Sequence, residues 1–251
     1  MKLSALVCGP VAACLAHWLA MTVSADVIVL PAMHDNTIYE DGNNISNGSG
    51  ESFFSGKTSI ETLRRGLISF DVSSIPSGAT ITSVTLTLHC TRSASLANPV
   101  SLHPALSSWG EGASVALGEG GSGTAATTGD ATWQYRYYPD VAWATPGGEF
   151  GPLSATTQVT AEGAYDWSTA TMVTDVQSWL DSPSTNYGWV VRGNEEDIQT
   201  AKRFASRENS DSSLRPVLVV EYVPVPAPGG CLAVVSGVLG CVHRRRAGGG
   251  W

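Results

Sequence analysis

Val84-Thr85-Leu86-Thr87-Leu88-His89-Cys90-Thr91 alternates apolar and polar residues without a break. Successive side chains of an extended strand leave on opposite faces. The run therefore reads as one half-buried antiparallel strand, with Val84, Leu86, Leu88 and Cys90 inward and the threonines and His89 outward. The same reading extends outward to strands over 26–30, 37–40, 66–72, 188–192 and 216–222. Ser73-Ser74-Ile75-Pro76-Ser77-Gly78 is a turn, punctuated by proline and glycine. Only 171–180 carries a helical period, with Met172, Val176 and Trp179 at steps of four and three. Short strands bounded by polar turns specify an all-β fold. The expected form is an antiparallel β-sandwich, jelly-roll-like, with one short helix. The stretch 110–129, rich in Gly, Ser, Ala and Thr, is expected to be a long mobile loop.

Both ends of the 251-residue chain look like addresses. Lys2, an apolar run from Leu3 to Met21, and Val23-Ser24-Ala25 have the anatomy of a signal peptide over 1–25, helical before cleavage. Val11-Ala12-Ala13-Cys14 also has the form of a lipoprotein cleavage box, but the apolar run continues past it. Residues 224–251 hold a Pro-rich spacer, a short apolar helix over 231–242, and Arg244-Arg245-Arg246. That apolar stretch is shorter than the roughly 20 residues of a stable membrane span, so it implies transient membrane contact. Spacer, apolar segment and arginines in this order resemble a PEP-CTERM sorting signal, with Pro226-Ala227-Pro228-Gly229 in place of Pro-Glu-Pro. The resemblance implies an exosortase-type protease as partner and a Gram-negative-type cell, with the protein extracellular or at the cell surface. A weak retained anchor is the other reading of the tail.

The intervening 26–223 is one domain's worth of chain. It holds all 22 acidic residues and ten of the fourteen basic ones, a net charge of 10 − 22 = −12. Nucleic-acid partners demand basic surfaces and are not expected. Only Cys90 falls within this span, on the apolar phase, so no disulfide within the domain is expected.

Two sets of residues carry candidate chemistry. Trp109, Trp133, Tyr135, Tyr137, Tyr138 and Trp143 supply aromatic faces on which sugar rings stack, and Trp133, Tyr135 and Tyr137 share one phase if extended. The competing reading packs the tryptophans into the end of the domain. Asp35, Asn36, Glu40, Asp41, Asn43 and Asn44 crowd oxygen ligands suited to a structural Ca2+. Asp and Asn also populate turns for backbone reasons alone. The chain has no Gly-x-Ser-x-Gly elbow, His-Glu-x-x-His helix or phosphate-binding glycine loop, so no catalytic residue is assigned.

The order of these segments carries a resemblance. His34-Asp35-Asn36-Thr37-Ile38-Tyr39-Glu40 is followed by Phe53-Phe54-Ser55-Gly56, Arg65-Gly66-Leu67-Ile68-Ser69-Phe70-Asp71, the threonine-rich strand, Ala201-Lys202-Arg203-Phe204-Ala205-Ser206-Arg207-Glu208 and Arg215-Pro216-Val217-Leu218. The whole is similar to the DNRLRE-type extracellular β-sandwich domain, a fold akin to carbohydrate-binding jelly rolls. The resemblance implies an exported, non-catalytic cell-surface or matrix module with extracellular or cell-wall polysaccharide as its partner. The alternatives are a purely structural envelope protein, and a polysaccharide lyase or hydrolase.

Overall fold

The computed structural model describes residues 24–42 and 44–225. The apolar signal segment, the tail from 226 on and Asn43 lie outside the described residues, and with them both expected terminal helices. Among the described residues, no helix is long and apolar enough to cross a membrane.

Among the described residues the fold is all-β with one α-helix. Strands β1 (Asp26–Tyr39), β2 (Ile45–Ser46), β3 (Ser52–Lys57), β4 (Leu63–Phe70), β5 (Thr80–Ser93) and β6 (Asn98–Pro104) come first. A long excursion over 105–154 then carries the short β7 (Thr124–Ala125), β8 (Tyr135–Tyr137) and β9 (Val141–Ala142). Strands β10 (Ala155–Val159) and β11 (Gly163–Trp167), helix α1 (Ala170–Asp181), and β12 (Trp189–Arg192), β13 (Lys202–Ala205) and β14 (Val217–Val223) complete it. All pairings between these strands are antiparallel.

The expected sandwich of two separate sheets is corrected by β1, which belongs to both. Asp26 to Pro31 pair with β14, and Ala32 to Tyr39 pair with β4. The change of partner falls at Pro31, which has no N–H to donate, and at a bulge between Ala32 and His34. Hydrogen bonding therefore runs β1–β14–β5–β13–β3–β4 and back to β1, a closed ring of six strands rather than a jelly roll. From β4 the sheet continues outward through β12, β6 and β10.

The ring closes around an apolar core. Val84, Leu86, Leu88 and Cys90 of β5 all point into it, as their alternation requires. They meet Phe53, Ile68, Phe70, Trp167, Trp189 and Phe204. Helix α1 starts where the Thr169 hydroxyl accepts the Met172 N–H at 3.1 Å, and it buries Met172, Val176, Trp179 and Leu180 against that core. The Trp179 ring lies edge-on to Trp189 at 4.5 Å, and the Trp189 indole donates to Asp175 at 2.9 Å.

The sheet built on β4 is buried on both faces. Ile68 and Trp189 face the main core, while their neighbours Leu67 and Val190 face a second cluster with Ile38, Trp109 and Trp143. The excursion supplies that cover through Trp109, Ala131 and Trp143, and its stretch 110–129, irregular apart from β7, is tied to the ring by polar contacts. Glu111 binds Arg207, Asp130 is fully buried and accepts the Thr127 N–H, and the Tyr39 hydroxyl donates to the Gly120 carbonyl at 2.9 Å. Polar anchors, rather than apolar ones, fasten the glycine-rich stretch.

Candidate functional site

The six aromatic candidates do not form one exposed row. Trp143 is buried and donates its indole N–H to the Thr132 carbonyl at 2.9 Å. Trp109 is buried and donates to the Tyr187 carbonyl at 2.8 Å. Trp133 packs half-buried against the second cluster, with the Arg65 guanidinium 4.8 Å above its ring. Tyr135 and Tyr138 meet edge to face at 5.4 Å. Tyr137 lies under Arg136 and shares with Trp109 and His34 a hollow of about 260 Å³. The tryptophans thus hold the excursion on the sheet, and the tyrosines remain partly exposed.

The oxygen-rich candidates are spread along a strand and its sequel, and their oxygens go to different partners. Asp35 accepts the Arg207 N–H at 2.7 Å. The Asn36 side-chain oxygen accepts from the Thr37 N–H, the Ser46 hydroxyl and the Asn47 N–H. Glu40 accepts the Leu63 N–H, and Asn44 accepts the Thr132 hydroxyl. Asp41 sits at the turn, its N–H on the Tyr39 carbonyl, and Asn43 lies outside the described residues. Among the described residues, no three of His, Cys, Asp or Glu gather in a way that could hold a metal ion. The Asn36 oxygen is already taken by three donors.

Asp35 belongs instead to a buried charge cluster. The Glu111 carboxylate accepts from Arg207 Nε and Nη2 at 2.6 Å each and from the Asp35 N–H at 2.8 Å, and lies 3.1 Å from His34 Nδ1. Burial alone would raise the Glu111 carboxyl, but those hydrogen bonds outweigh it and hold it below its usual range. Asp35 and Glu208 are shifted the other way, by burial first and by neighbouring carboxylates next. Asp35 Oδ1 and Glu208 Oε2 are buried with no hydrogen-bond partner. Two carboxyls around one committed arginine disfavour ionisation there, which makes the cluster a seam between excursion and ring.

A different part of the fold gathers positive charge. Arg203 of β13 pairs in register with Arg92 of β5 on one side and Phe54 of β3 on the other. Their neighbours Phe204 and Phe53 point into the core, so this row faces outward. Arg64, at the start of β4, lines the same pocket of about 220 Å³. It is 6% exposed, lies 4.7 Å over the Tyr39 ring, donates through Nη1 to Thr62 and the Leu63 carbonyl, and its buried Nε has no hydrogen-bond partner. Burial lowers the pKa of both Arg64 and Arg203, and Arg92 adds to the effect at Arg203. Lys202 also lines the pocket, with its amine turned to Ser93, Ser95 and the Leu96 carbonyl. Arg64, Arg92 and Arg203 therefore line one pocket in a domain of strongly negative charge.

Like charges directly opposite on neighbouring strands repel, so the Arg92–Arg203 pair calls for an anion. Glu119 supplies it from the excursion, with its carboxylate on Arg203 and 3.9 Å from Arg92. Beyond Glu119 the groove continues into a second pocket of about 420 Å³, lined by Asn47, Glu51, Ser52, Thr91 and Asn209. Volumes of this order fall in or near the range of about 300–1,000 Å³ usual for small-ligand sites. An apolar wall at Phe54, the Arg92 and Arg203 guanidinium groups and a row of amide and hydroxyl groups can recognise an anionic, hydroxyl-rich chain. Sequence reasoning missed this groove because its parts are distant in sequence, and only the strand register brings them together.

A scan of family models and a search of curated proteins each found no match to this chain.

Proposed function

We propose that the chain is an exported, non-catalytic cell-surface or matrix module that binds anionic polysaccharide in the groove between β3, β13 and the excursion. The observation that carries this reading is the in-register Arg92–Arg203 pair, which faces outward along one pocket. Guanidinium groups bind carboxylate and sulfate with directed N–H bonds, and partial desolvation strengthens them. The likeness to DNRLRE-type domains and the signal-like ends point the same way, toward a glycan outside the cell.

Affinity electrophoresis of the full chain tests this reading in gels containing polygalacturonate, dextran sulfate or neutral dextran. Retardation by either polyanion, with none in dextran, is the expected result. Equal mobility in all three gels would overturn it. A second reading, an envelope building block with no glycan ligand, draws on the burial of Trp109 and Trp143, whose indoles serve the fold.

A further inference from the structure

Glu119 is an unusual counter-ion for the arginine row. Its side chain is 66% exposed, yet its carboxylate sits on Arg203, which is only 19% exposed. It stands in Gly118-Glu119-Gly120-Gly121, where Gly118 and Gly120 have φ of +60° and +74°. A side chain at Gly118 would meet nothing within 4 Å, so Glu119 projects from a loop tip with open space beside it. The loop is tied at its base by the Tyr39–Gly120 hydrogen bond and by the Ala116 N–H on Asn47. Pockets open on both sides of the Glu119–Arg203 contact, one toward Arg64 and Phe54, the other toward Asn47 and Asn209.

We infer that the Glu119 carboxylate occupies the seat of the ligand's own anionic group, and that this group lies within the glycan chain, with sugar units on either side. This rests on the polysaccharide reading above. The ligand anion replaces Glu119 on Arg203 and Arg92, and Glu119 swings to solvent on its glycines. A chain carrying its only charge at one end would fill one pocket and leave the other empty. Glu119 competes with the ligand and discriminates against weakly charged chains, because a neutral sugar has nothing to offer the two arginines in exchange. An exposed ion pair is a weak competitor, so removing it should tighten binding by about 2- to 5-fold.

The test is isothermal titration of the full chain and its Glu119→Gln and Asp140→Asn variants. The probes are oligogalacturonate of six units, sulfated maltohexaose, and maltohexaose oxidised to a single terminal carboxylate. Asp140 is exposed and lies outside the groove, so it controls for the change in net charge. The inference expects tighter binding of the internally charged probes by Glu119→Gln alone, with the terminal carboxylate bound weakly by all three proteins. The oligogalacturonate and sulfated arms show whether carboxylate or sulfate is the better occupant. Wild-type binding that Glu119→Gln leaves unchanged or weakens would overturn the inference and leave the polysaccharide reading standing. An equal gain in Asp140→Asn, or equal affinity for the end-charged probe, would also overturn it. No binding by any protein would overturn both.

Discussion

Arg203 stands directly across from Arg92, two guanidinium-bearing residues in register on neighbouring strands, with Glu119 from a distant loop between them. The pairing places a repulsive contact in an antiparallel ladder, where opposite or apolar pairs are the stabilising choice. A fold tolerates such a pair when an anion sits with it. In the free protein that anion is Glu119.

Removing this counter-ion should therefore cost stability in a way that added anions repair. Glu119→Gln is expected to lower the unfolding free energy at low ionic strength by a few tenths to about 1 kcal/mol, the scale of an exposed ion pair. Millimolar sulfate should restore it, as should Arg92→Ala in the same chain. Urea unfolding with and without sulfate measures this; an unchanged midpoint in Glu119→Gln would contradict it.

The Asp35 carboxyl gives a pH dependence of defined sign. Its pKa is raised in the fold, by burial first, so the stability it contributes is present when it is protonated and declines as pH rises through the folded value. Asp35→Asn removes the charge that rising pH would create. The variant should be more stable than the wild type at pH 8 relative to their difference at pH 4. Chemical unfolding at both values checks this.

Glu195 works in the opposite direction. Burial would raise it, but bidentate contact with Arg65 at 2.7 and 3.0 Å and a second pair with Arg192 bring it down to about 2. Its contribution is fully present above the ordinary carboxylate range and is lost as pH falls toward 2. Glu195→Gln should destabilise the protein at pH 7 by about 2 kcal/mol, the scale of hydrogen bonds to charged groups. It should also flatten the acid limb of the stability profile. Thermal unfolding between pH 2 and 7 follows both effects.

Trp189 should be the costliest truncation. It is fully buried, packs on Trp179, and gives its indole N–H to Asp175. Trp189→Ala is expected to cost about 3–5 kcal/mol from the cavity alone, with Asp175 losing a donor besides. A urea-midpoint shift of less than half that would mean the core reorganises around the gap.

Where the sequence carries a local period, it was legible. Val84, Leu86, Leu88 and Cys90 alternate, and all four are buried. Met172, Val176 and Trp179 mark the helix to within a residue at either end. β1 reads as two strands because Pro31 and the polar His34-Asp35-Asn36 interrupt its pattern. In the fold those are the residues where it changes sheets and meets Glu111. The 110–129 stretch has few apolar anchors, and nothing in its composition reveals that Glu111 finds Arg207 or that Tyr39 finds Gly120. The aromatic row assumes an extended 133–137, of which only Tyr135–Tyr137 is strand. The chain instead turns back between β8 and β9, so Tyr135 meets Tyr138 and the tryptophans go inward. The arginine groove has no local signal at all, since Arg64, Arg92 and Arg203 meet only through register.

The account's central claim is that this groove takes an anionic glycan. The most direct measurement follows the arginine Nε–H resonances of the ¹⁵N-labelled full chain by NMR while hexagalacturonate is added. The account predicts that the signals of Arg92 and Arg203 shift in a saturable way. Those of Arg65 and Arg192, held by Glu195, should stay in place. Shifts confined to Arg136, beside Tyr137 and the aromatic hollow, or no shifts at all, would contradict it.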